Sequence, residues 1–223
     1  MRNELEQLAQ QLKAEWRMKL GLGALLFVVM CSGYFLVGHV PFRSVTALSP
    51  TPIDRAIPFS VKWSAMYISL YLLLPFAWLI PTRPMLWRYG GGMVVMYAVA
   101  CTTFLVVPIT GPRPPIAPAS ALYALIIYLD NPLNCLPSLH VSLVVYTVLF
   151  VASALSGRLR WPIVTLLSIW SLLIVYATLA TKQHYFADVV TGALLGWVSF
   201  VVAMRMRLDR AQPAPLGREE AAA

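Results

Sequence analysis

Six long apolar stretches divide the chain, and short segments between them carry most of its charged residues. Lys, Arg, Asp and Glu are absent from residues 20–42, 63–82, 89–112, 131–157, 161–181 and 189–204. Five of these stretches have 20 or more residues, the length that a helix needs to cross a bilayer. The sixth reaches that length if its helix begins near Gln183 and Asp188 faces the protein. The pattern predicts six transmembrane helices.

A seventh apolar stretch, 114–129, is too short to cross. Its prolines, at 114, 115 and 118, disfavour helix and leave residues 119–129, which would rise about 16 Å as a helix, roughly half the hydrocarbon core. We predict a short interfacial or re-entrant helix here. The predicted fold class is therefore all-α: a polytopic membrane bundle of six transmembrane helices plus a short interfacial helix.

The two ends of the chain differ from this membrane domain, which we place at residues 20–204. In residues 1–19, apolar side chains at positions 5, 8, 12 and 16 recur at helical spacing, which predicts an amphipathic cytoplasmic helix. Residues 205–223 are rich in charge, proline and alanine and are predicted to form a disordered cytoplasmic tail.

The positions of the cations predict the orientation. With six crossings, 12 of the 17 Lys and Arg residues fall on the side that holds both termini, and cytoplasmic loops carry the excess of cations. Both termini are therefore predicted to be cytoplasmic, in a plasma or inner membrane. Arg113, His140 and His184 then all fall on the outer face, and neither histidine was used to choose the orientation.

Composition narrows the function further. The chain is 59% hydrophobic and 12% charged, whereas a soluble domain is about 25% charged. The net charge of +8 is attributed to cations that flank membrane helices and contact anionic lipid, so no nucleic-acid partner is expected. Cys31, Cys101 and Cys135 share no C-x-x-C spacing, which gives no case for a disulfide framework or a thiolate metal site.

His184 and Asp188 form the first candidate pair for chemistry. The chain has three histidines, and residues four apart share one face of a helix. A carboxylate that accepts the proton of one imidazole nitrogen leaves the other nitrogen free to attack. The alternative is a structural His–Asp hydrogen bond that caps the sixth helix.

His140 is the second candidate, in Pro137-Ser138-Leu139-His140. Proline suits the first turn of a helix, so the backbone amides of Ser138 and Leu139 would face outward as an anion site. A protonated His140 could donate to a leaving oxygen.

Arg113 and Lys182 are the candidate cations for a substrate phosphate. A guanidinium can bond two phosphate oxygens at once. Phosphoryl transfer through a histidine requires neither metal nor cofactor, and none is predicted.

The order and spacing of Pro137-Ser138-Leu139-His140 and His184-x-x-x-Asp188 resemble the second and third motifs of the type 2 phosphatidic acid phosphatase superfamily, and Arg113-Pro114 resembles the end of its first motif. The resemblance covers roughly residues 105–204. It implies that His184 is the nucleophile, that Asp188 orients it, and that His140 is the general acid.

Three departures from that family point to one of its branches. Val106 and Thr178 occupy positions where the family has a lysine and an arginine, and Leu139 replaces a glycine. In these respects the chain is more similar to the inositol phosphorylceramide synthase-like (inositolphosphotransferase) branch. This implies an enzyme that transfers a phospho-headgroup between lipids through a phosphohistidine. Its substrate would be a phospholipid or polyprenyl phosphate, and its partner the membrane.

The sequence alone leaves other functions open. The first is hydrolysis, by a phosphatidic acid or polyprenyl phosphate phosphatase. The second is a non-enzymatic membrane transporter or lipid-binding protein that uses the histidines as a proton relay. A serine protease with Ser138 and His184, and a metal site of two histidines and one carboxylate, are weaker alternatives.

Overall fold

The computed structural model describes residues 2–38, 43–114, 120–130 and 132–206. These residues are mostly helical. The α-helices are α1 (Arg2–Lys13), α2 (Trp16–Gly38), α3 (Pro52–Ala56), α4 (Ser64–Ile68), α5 (Leu70–Leu73), α6 (Arg83–Val106), α7 (Ala121–Leu129), α8 (Leu139–Ala154), α9 (Arg160–Ala180) and α10 (Phe186–Arg205). Val61–Trp63 and Leu74–Leu79 are 3-10 helices, and strand β1 (Thr46–Ala47) pairs in parallel with β2 (Ile109–Thr110). Beyond Met206 the predicted tail lies outside the described residues.

Among the described residues, four helices are long and apolar enough to cross a membrane: α2, α6, α9 and α10. The predicted helical membrane protein is thereby confirmed, while the number of six crossings stays a prediction. The fourth predicted span is represented by α8, which has 16 residues and rises about 24 Å.

The second predicted span, 63–82, is not a regular helix. It is divided into α4, α5 and the 3-10 helix Leu74–Leu79. The Ser69 hydroxyl donates to the Met66 carbonyl at 2.6 Å, and such side-chain bonds compete with the helical ladder. Pro75 is the second residue of the 3-10 helix. It lacks an N–H, and its ring would clash with the preceding turn of a continuous α-helix. The expectation of one uninterrupted helix was wrong here.

The predicted N-terminal and interfacial helices both exist, with one difference. The short helix is α7, capped by the Ser120 side chain. Residues 1–19 do not form one helix, because Glu15 has a φ of 52° and separates α1 from α2. Lys19, near the start of α2, is buried and donates to the carbonyls of Gln11 and Trp78, which ties α1 to the end of the second apolar stretch.

Helices α8 and α10 pack closely against each other, and this contact positions the residues at the start of each helix. A Cβ on Gly192 would lie 2.5 Å from the Ser138 carbonyl oxygen, and one on Gly196 would lie 2.5 Å from that of Ser142. Two small residues four apart let helix backbones meet in membrane proteins. The Ser142 hydroxyl uses this proximity to donate to the Gly192 carbonyl at 2.9 Å. The starts of α8 and α10 therefore lie side by side.

Candidate active site

His140 and His184 lie close together, although one is in a helix and the other is in a turn. His140 is the second residue of α8, whose first turn is capped by Ser138. His184 lies in the turn between α9 and α10, two residues before α10 begins, and its amide donates to the Thr178 carbonyl at 3.3 Å. The prediction that His184 shares a helical face with Asp188 was therefore wrong, since only Asp188 is in the helix.

Asp188 contacts His184 from the first turn of α10. Its Oδ2 accepts a hydrogen bond from the Tyr185 amide at 2.7 Å and lies 3.5 Å from Nδ1 of His184. Both side chains are almost fully buried, His184 at 2% exposure and Asp188 at 0%. The same carboxylate therefore caps the helix and contacts the imidazole. The structural alternative and the catalytic hypothesis are both compatible with this arrangement.

The two imidazoles face each other across a short gap. Their ring centroids are 5.7 Å apart and the rings are tilted by 58°. Among the described residues, neither ring nitrogen of His184 has a hydrogen-bond partner, and neither does Oδ1 of Asp188. Buried polar groups without partners are uncommon in folded proteins, and here they lie beside the second imidazole.

The Ser138 amide is not the free donor that the sequence predicted, whereas the free Leu139 amide stays a prediction. The helix begins at Leu139, so Pro137 lies outside its first turn. The Ser138 amide donates to the Asp188 carbonyl at 3.0 Å, and its hydroxyl accepts from the Val141 amide. The Leu139 side chain packs against Ala100 and Phe104. Ser138 is fully buried and caps a helix, an arrangement that also disfavours the serine protease.

Arg113 reaches the site through the small β-structure at the same end of the bundle. Its Nε donates to Oε1 of Gln183 at 3.0 Å, and its Nη2 donates to the Asp130 carbonyl. Gln183 is buried at 1% exposure and precedes His184 directly. The chain fits this tightly only because residue 111 is glycine, where a Cβ would lie 2.9 Å from the Cys135 sulfur.

Lys182 holds a loop instead of pointing freely into the gap. Its ammonium donates to the carbonyls of Asp54 and Ile57 at 2.7 and 2.6 Å. Burial lowers the pKa of the Lys182 amine, and the nearby Asp54 carboxylate partly opposes that change. Asp54 in turn accepts from the Phe186 amide at 2.7 Å, so residues 50–60 are fixed to the start of α10.

This fixed loop forms one wall of a cavity of about 460 Å³ beside His184. Its lining includes Arg55, Pro112, Lys182 and Tyr185. His184 itself lines this cavity, and two of the other lining side chains are cationic. Lys182 therefore lies near His184, although its ammonium is bound to the loop.

Two residues near His140 were missed by the sequence reasoning. Asp130, directly after α7, is buried and accepts hydrogen bonds from the hydroxyls of Tyr34 and Tyr67. The Tyr67 hydroxyl lies 3.3 Å from Nδ1 of His140, and the two rings are 4.5 Å apart. An acidic residue between two apolar stretches was a usable signal for Asp130, whereas Tyr67, inside an apolar stretch, gave none.

Two groups of side chains have the spacing of metal ligands. The ligand atoms of Asp130, His140 and His184 lie within 4.8 Å of one another, as do those of Cys135, His184 and Asp188. In the first group both Asp130 oxygens already accept tyrosine hydroxyls. A metal ion would have to replace these contacts, so the arrangement suits proton exchange better than coordination.

Comparison with known proteins identifies the family. None of the curated proteins matches the chain. The family model of the PAP2 superfamily matches residues 85–212, more than half of the chain, and this region contains Arg113, His140, His184 and Asp188. The match supports a phosphatase-type enzyme acting on lipid substrates and does not distinguish the inositolphosphotransferase branch. The chain belongs to the PAP2 superfamily.

Proposed function

We propose that this protein transfers a phospho-headgroup between lipids through a phosphohistidine on His184. The observation that carries the proposal is the pair of buried imidazoles, 5.7 Å apart, with Asp188 3.5 Å from Nδ1 of one of them. Because Nδ1 faces the carboxylate, Nε2 is the nitrogen that attacks phosphorus. The bond between phosphorus and the leaving oxygen breaks, and His140 protonates that oxygen.

The second half of the reaction reverses these roles. An alcohol of the acceptor lipid loses its proton to His140 and attacks phosphorus, which breaks the bond to His184 and restores both histidines. If water takes the place of the alcohol, the product is free phosphate or a free phosphorylated headgroup. Transfer and hydrolysis therefore use the same residues and differ in the acceptor.

The modest number of cations supports transfer from a phosphodiester. A phosphate monoester carries close to two charges near pH 7, whereas a phosphodiester carries one. Lys182, one of the cations near His184, is bound to two carbonyls. Thr178 stands where the family has an arginine, and it is buried with its hydroxyl donating to the Val175 carbonyl. Arg113 and a protonated His140 suit a single negative charge.

Six crossings are also part of the proposal, and contacts between distant segments support them. Lys19 near the start of α2 donates to the Trp78 carbonyl, so both lie at one surface. Since α2 crosses once between them, the segment 61–79 must cross back. His140 and His184 share a surface and α9 crosses between them, so α8 must cross as well. A bilayer thins locally around short spans, which accommodates α8.

The orientation completes the proposal. The excess of cations favours cytoplasmic termini in a plasma or inner membrane, with the histidines on the outer face. The substrate is then a phospholipid or polyprenyl phosphate of the outer leaflet.

The test is the fate of labelled phosphorus in liposomes that contain the purified protein. We expect a lipid substrate labelled in its phosphate to yield a second labelled lipid when an acceptor such as ceramide or diacylglycerol is present. Label recovered only in water-soluble products would identify a phosphatase instead. His184→Ala should abolish either reaction together with an acid-labile phosphate on the protein, and turnover that survived this change at the wild-type rate would end the proposal.

A further inference from the structure

We infer that Asp130 and Tyr67 position His140 and its proton, as Asp188 does for His184. This inference rests on the proposed function, because it concerns the general acid of that reaction. Each histidine then has its own carboxylate: Asp188 contacts His184 directly, and Asp130 contacts His140 through the Tyr67 hydroxyl. Neither residue belongs to the motifs by which the histidines were found.

The hydrogen bonds define which atom holds which proton. Tyr67 has one hydroxyl proton and donates it to Oδ2 of Asp130, so its oxygen is left to accept from Nδ1 of His140, 3.3 Å away. With a proton fixed on Nδ1, the other nitrogen, Nε2, faces the substrate. A protonated His140 then gives up the Nε2 proton to the leaving oxygen and retains the one on Nδ1.

Burial makes the chain of three groups electrostatically effective. Tyr67 is 3% exposed and Asp130 is 6% exposed, and charges interact more strongly where water is excluded. Burial raises the pKa of Asp130, but the neighbouring His140 and His184 and the two tyrosine hydroxyls lower it by more, so that the net change is downward. An anionic Asp130 stabilises the imidazolium form of His140, the form that can donate, against the burial that disfavours this charge.

Packing fixes the geometry of this chain from three directions. The Tyr67 ring lies against the His140 ring with centroids 4.5 Å apart and packs with Ile126 of α7 and Ala177 of α9. Arg113 donates to the backbone carbonyl of Asp130. The same arginine that is available to a substrate phosphate therefore also helps to hold the carboxylate behind the general acid.

Leaving groups of different basicity separate this role from a structural one. An alkoxide leaving group requires protonation, whereas nitrophenolate leaves without it. For Tyr67→Phe we expect turnover of a lipid phosphodiester with an alkyl leaving group to fall about 10- to 100-fold, part of what general acid catalysis contributes. Because His140 also acts as the base of the second half-reaction, both rates are those of leaving-group release in a single turnover. Release of nitrophenolate from the corresponding nitrophenyl ester should fall no more than about 3-fold. Asp130→Asn should show the same selectivity.

Two matched variants make the result decisive. Tyr34→Phe removes the other hydroxyl bonded to Asp130 without touching His140, so any loss should be equal for the two substrates. Tyr89→Phe removes a buried hydroxyl that bonds Thr147 elsewhere and should leave both rates unchanged. Equal losses on both substrates in Tyr67→Phe would overturn the inference, and Tyr67→Phe decides it if Asp130→Asn does not fold. The proposed function fails separately, if His184→Ala still turns over either substrate.

Discussion

At the residue scale, Asp188 shows how one carboxylate can serve folding and chemistry together. Its Oδ2 bonds the Tyr185 amide, which satisfies one of the N–H groups left free at a helix start, and the same oxygen lies 3.5 Å from His184 Nδ1. The backbone carbonyl of Asp188 also accepts from Ser138, which joins the starts of α8 and α10. A substitution here must separate these contributions to be informative.

Asp188→Asn makes that separation. The amide oxygen of asparagine can still accept from the Tyr185 amide, so we expect little loss of thermal stability. An amide oxygen in the place of Oδ2 carries no negative charge to stabilise a positively charged His184, and we expect kcat to fall by about 100-fold or more. Activity and melting temperature measured on the same detergent-solubilised sample check this. A parallel loss of both would indicate that Asp188 serves the fold alone.

Lys182 leads to a different expectation, because its ammonium is bound to the carbonyls of Asp54 and Ile57. Lys182→Met should loosen the loop that walls the cavity, and hydrogen bonds to charged groups contribute about 1.5–3 kcal/mol. We expect KM to rise about 10-fold with kcat changed much less. Lys62→Met, the same substitution at an exposed position near that loop, is the control. A large fall in kcat with KM unchanged would instead place Lys182 on the reacting phosphate.

Individual residues differ in how far the sequence could reveal them. His140, His184 and Asp188 stand out because ionisable side chains are rare beside apolar stretches and their spacing matches a known pattern. Tyr67 is one of 10 tyrosines in a stretch without charge, and it meets His140 through packing between residues 73 positions apart. Only the tertiary structure gives such a residue a role. The free amide expected at Ser138 was wrong for the same reason, since its partner, the Asp188 carbonyl, comes from another helix.

At the scale of elements, the contact between α8 and α10 determines the distance between the histidines. Gly192 and Gly196 face backbone oxygens of α8, so the helix axes can approach without a side chain between them. The Ser138 carbonyl that Gly192 faces is two residues before His140. Any separation of the two helices at this level therefore moves His140 away from His184.

Gly192→Ala should impose that separation. The added Cβ would lie 2.5 Å from the Ser138 carbonyl oxygen, and overpacking of this kind costs about 1–3 kcal/mol of unfolding free energy. We expect a lower melting temperature and a clear loss of activity. Gly23→Ala in α2 is the matched control, because its Cβ meets no atom within 4 Å and alanine favours helix. Equal behaviour of the two variants would show that the helices are not in critical contact.

The boundaries of elements show what charge patterns miss. A charge-free run of adequate length predicted one helix over 63–82, but Ser69 and Pro75 divide it. The proline was visible in the sequence, whereas the bond between Ser69 and Met66 was not. Likewise, the turn at Glu15 interrupts a periodic pattern that predicts one helix. Apolar periodicity locates a membrane segment more reliably than it predicts the regularity of its backbone.

At the scale of the whole molecule, contacts between distant loops constrain how the chain threads the membrane. Glu4 accepts a hydrogen bond from the Arg158 amide at 2.8 Å, which requires α1 and the turn between α8 and α9 to share a surface. At the opposite end of α9, Lys182 bonds the loop at Asp54 and Ile57. With six crossings all of these contacts join segments on the same side.

Cysteine labelling tests this threading and its orientation together. In a background with Cys31, Cys101 and Cys135 replaced by serine or alanine, we expect a membrane-impermeant maleimide on intact cells to label Ala56→Cys, in the loop beside the site. Ser156→Cys, at an exposed position near Arg158, should be labelled only after the membrane is opened, because the cations around it favour the cytoplasm. Both variants must retain activity, so that the native fold is the one labelled. Labelling of both cysteines from outside would contradict the odd number of crossings, three, that six spans place between positions 56 and 156. Labelling of Ser156→Cys alone would show that the orientation is the reverse of the proposed one, with the histidines at the cytoplasmic surface.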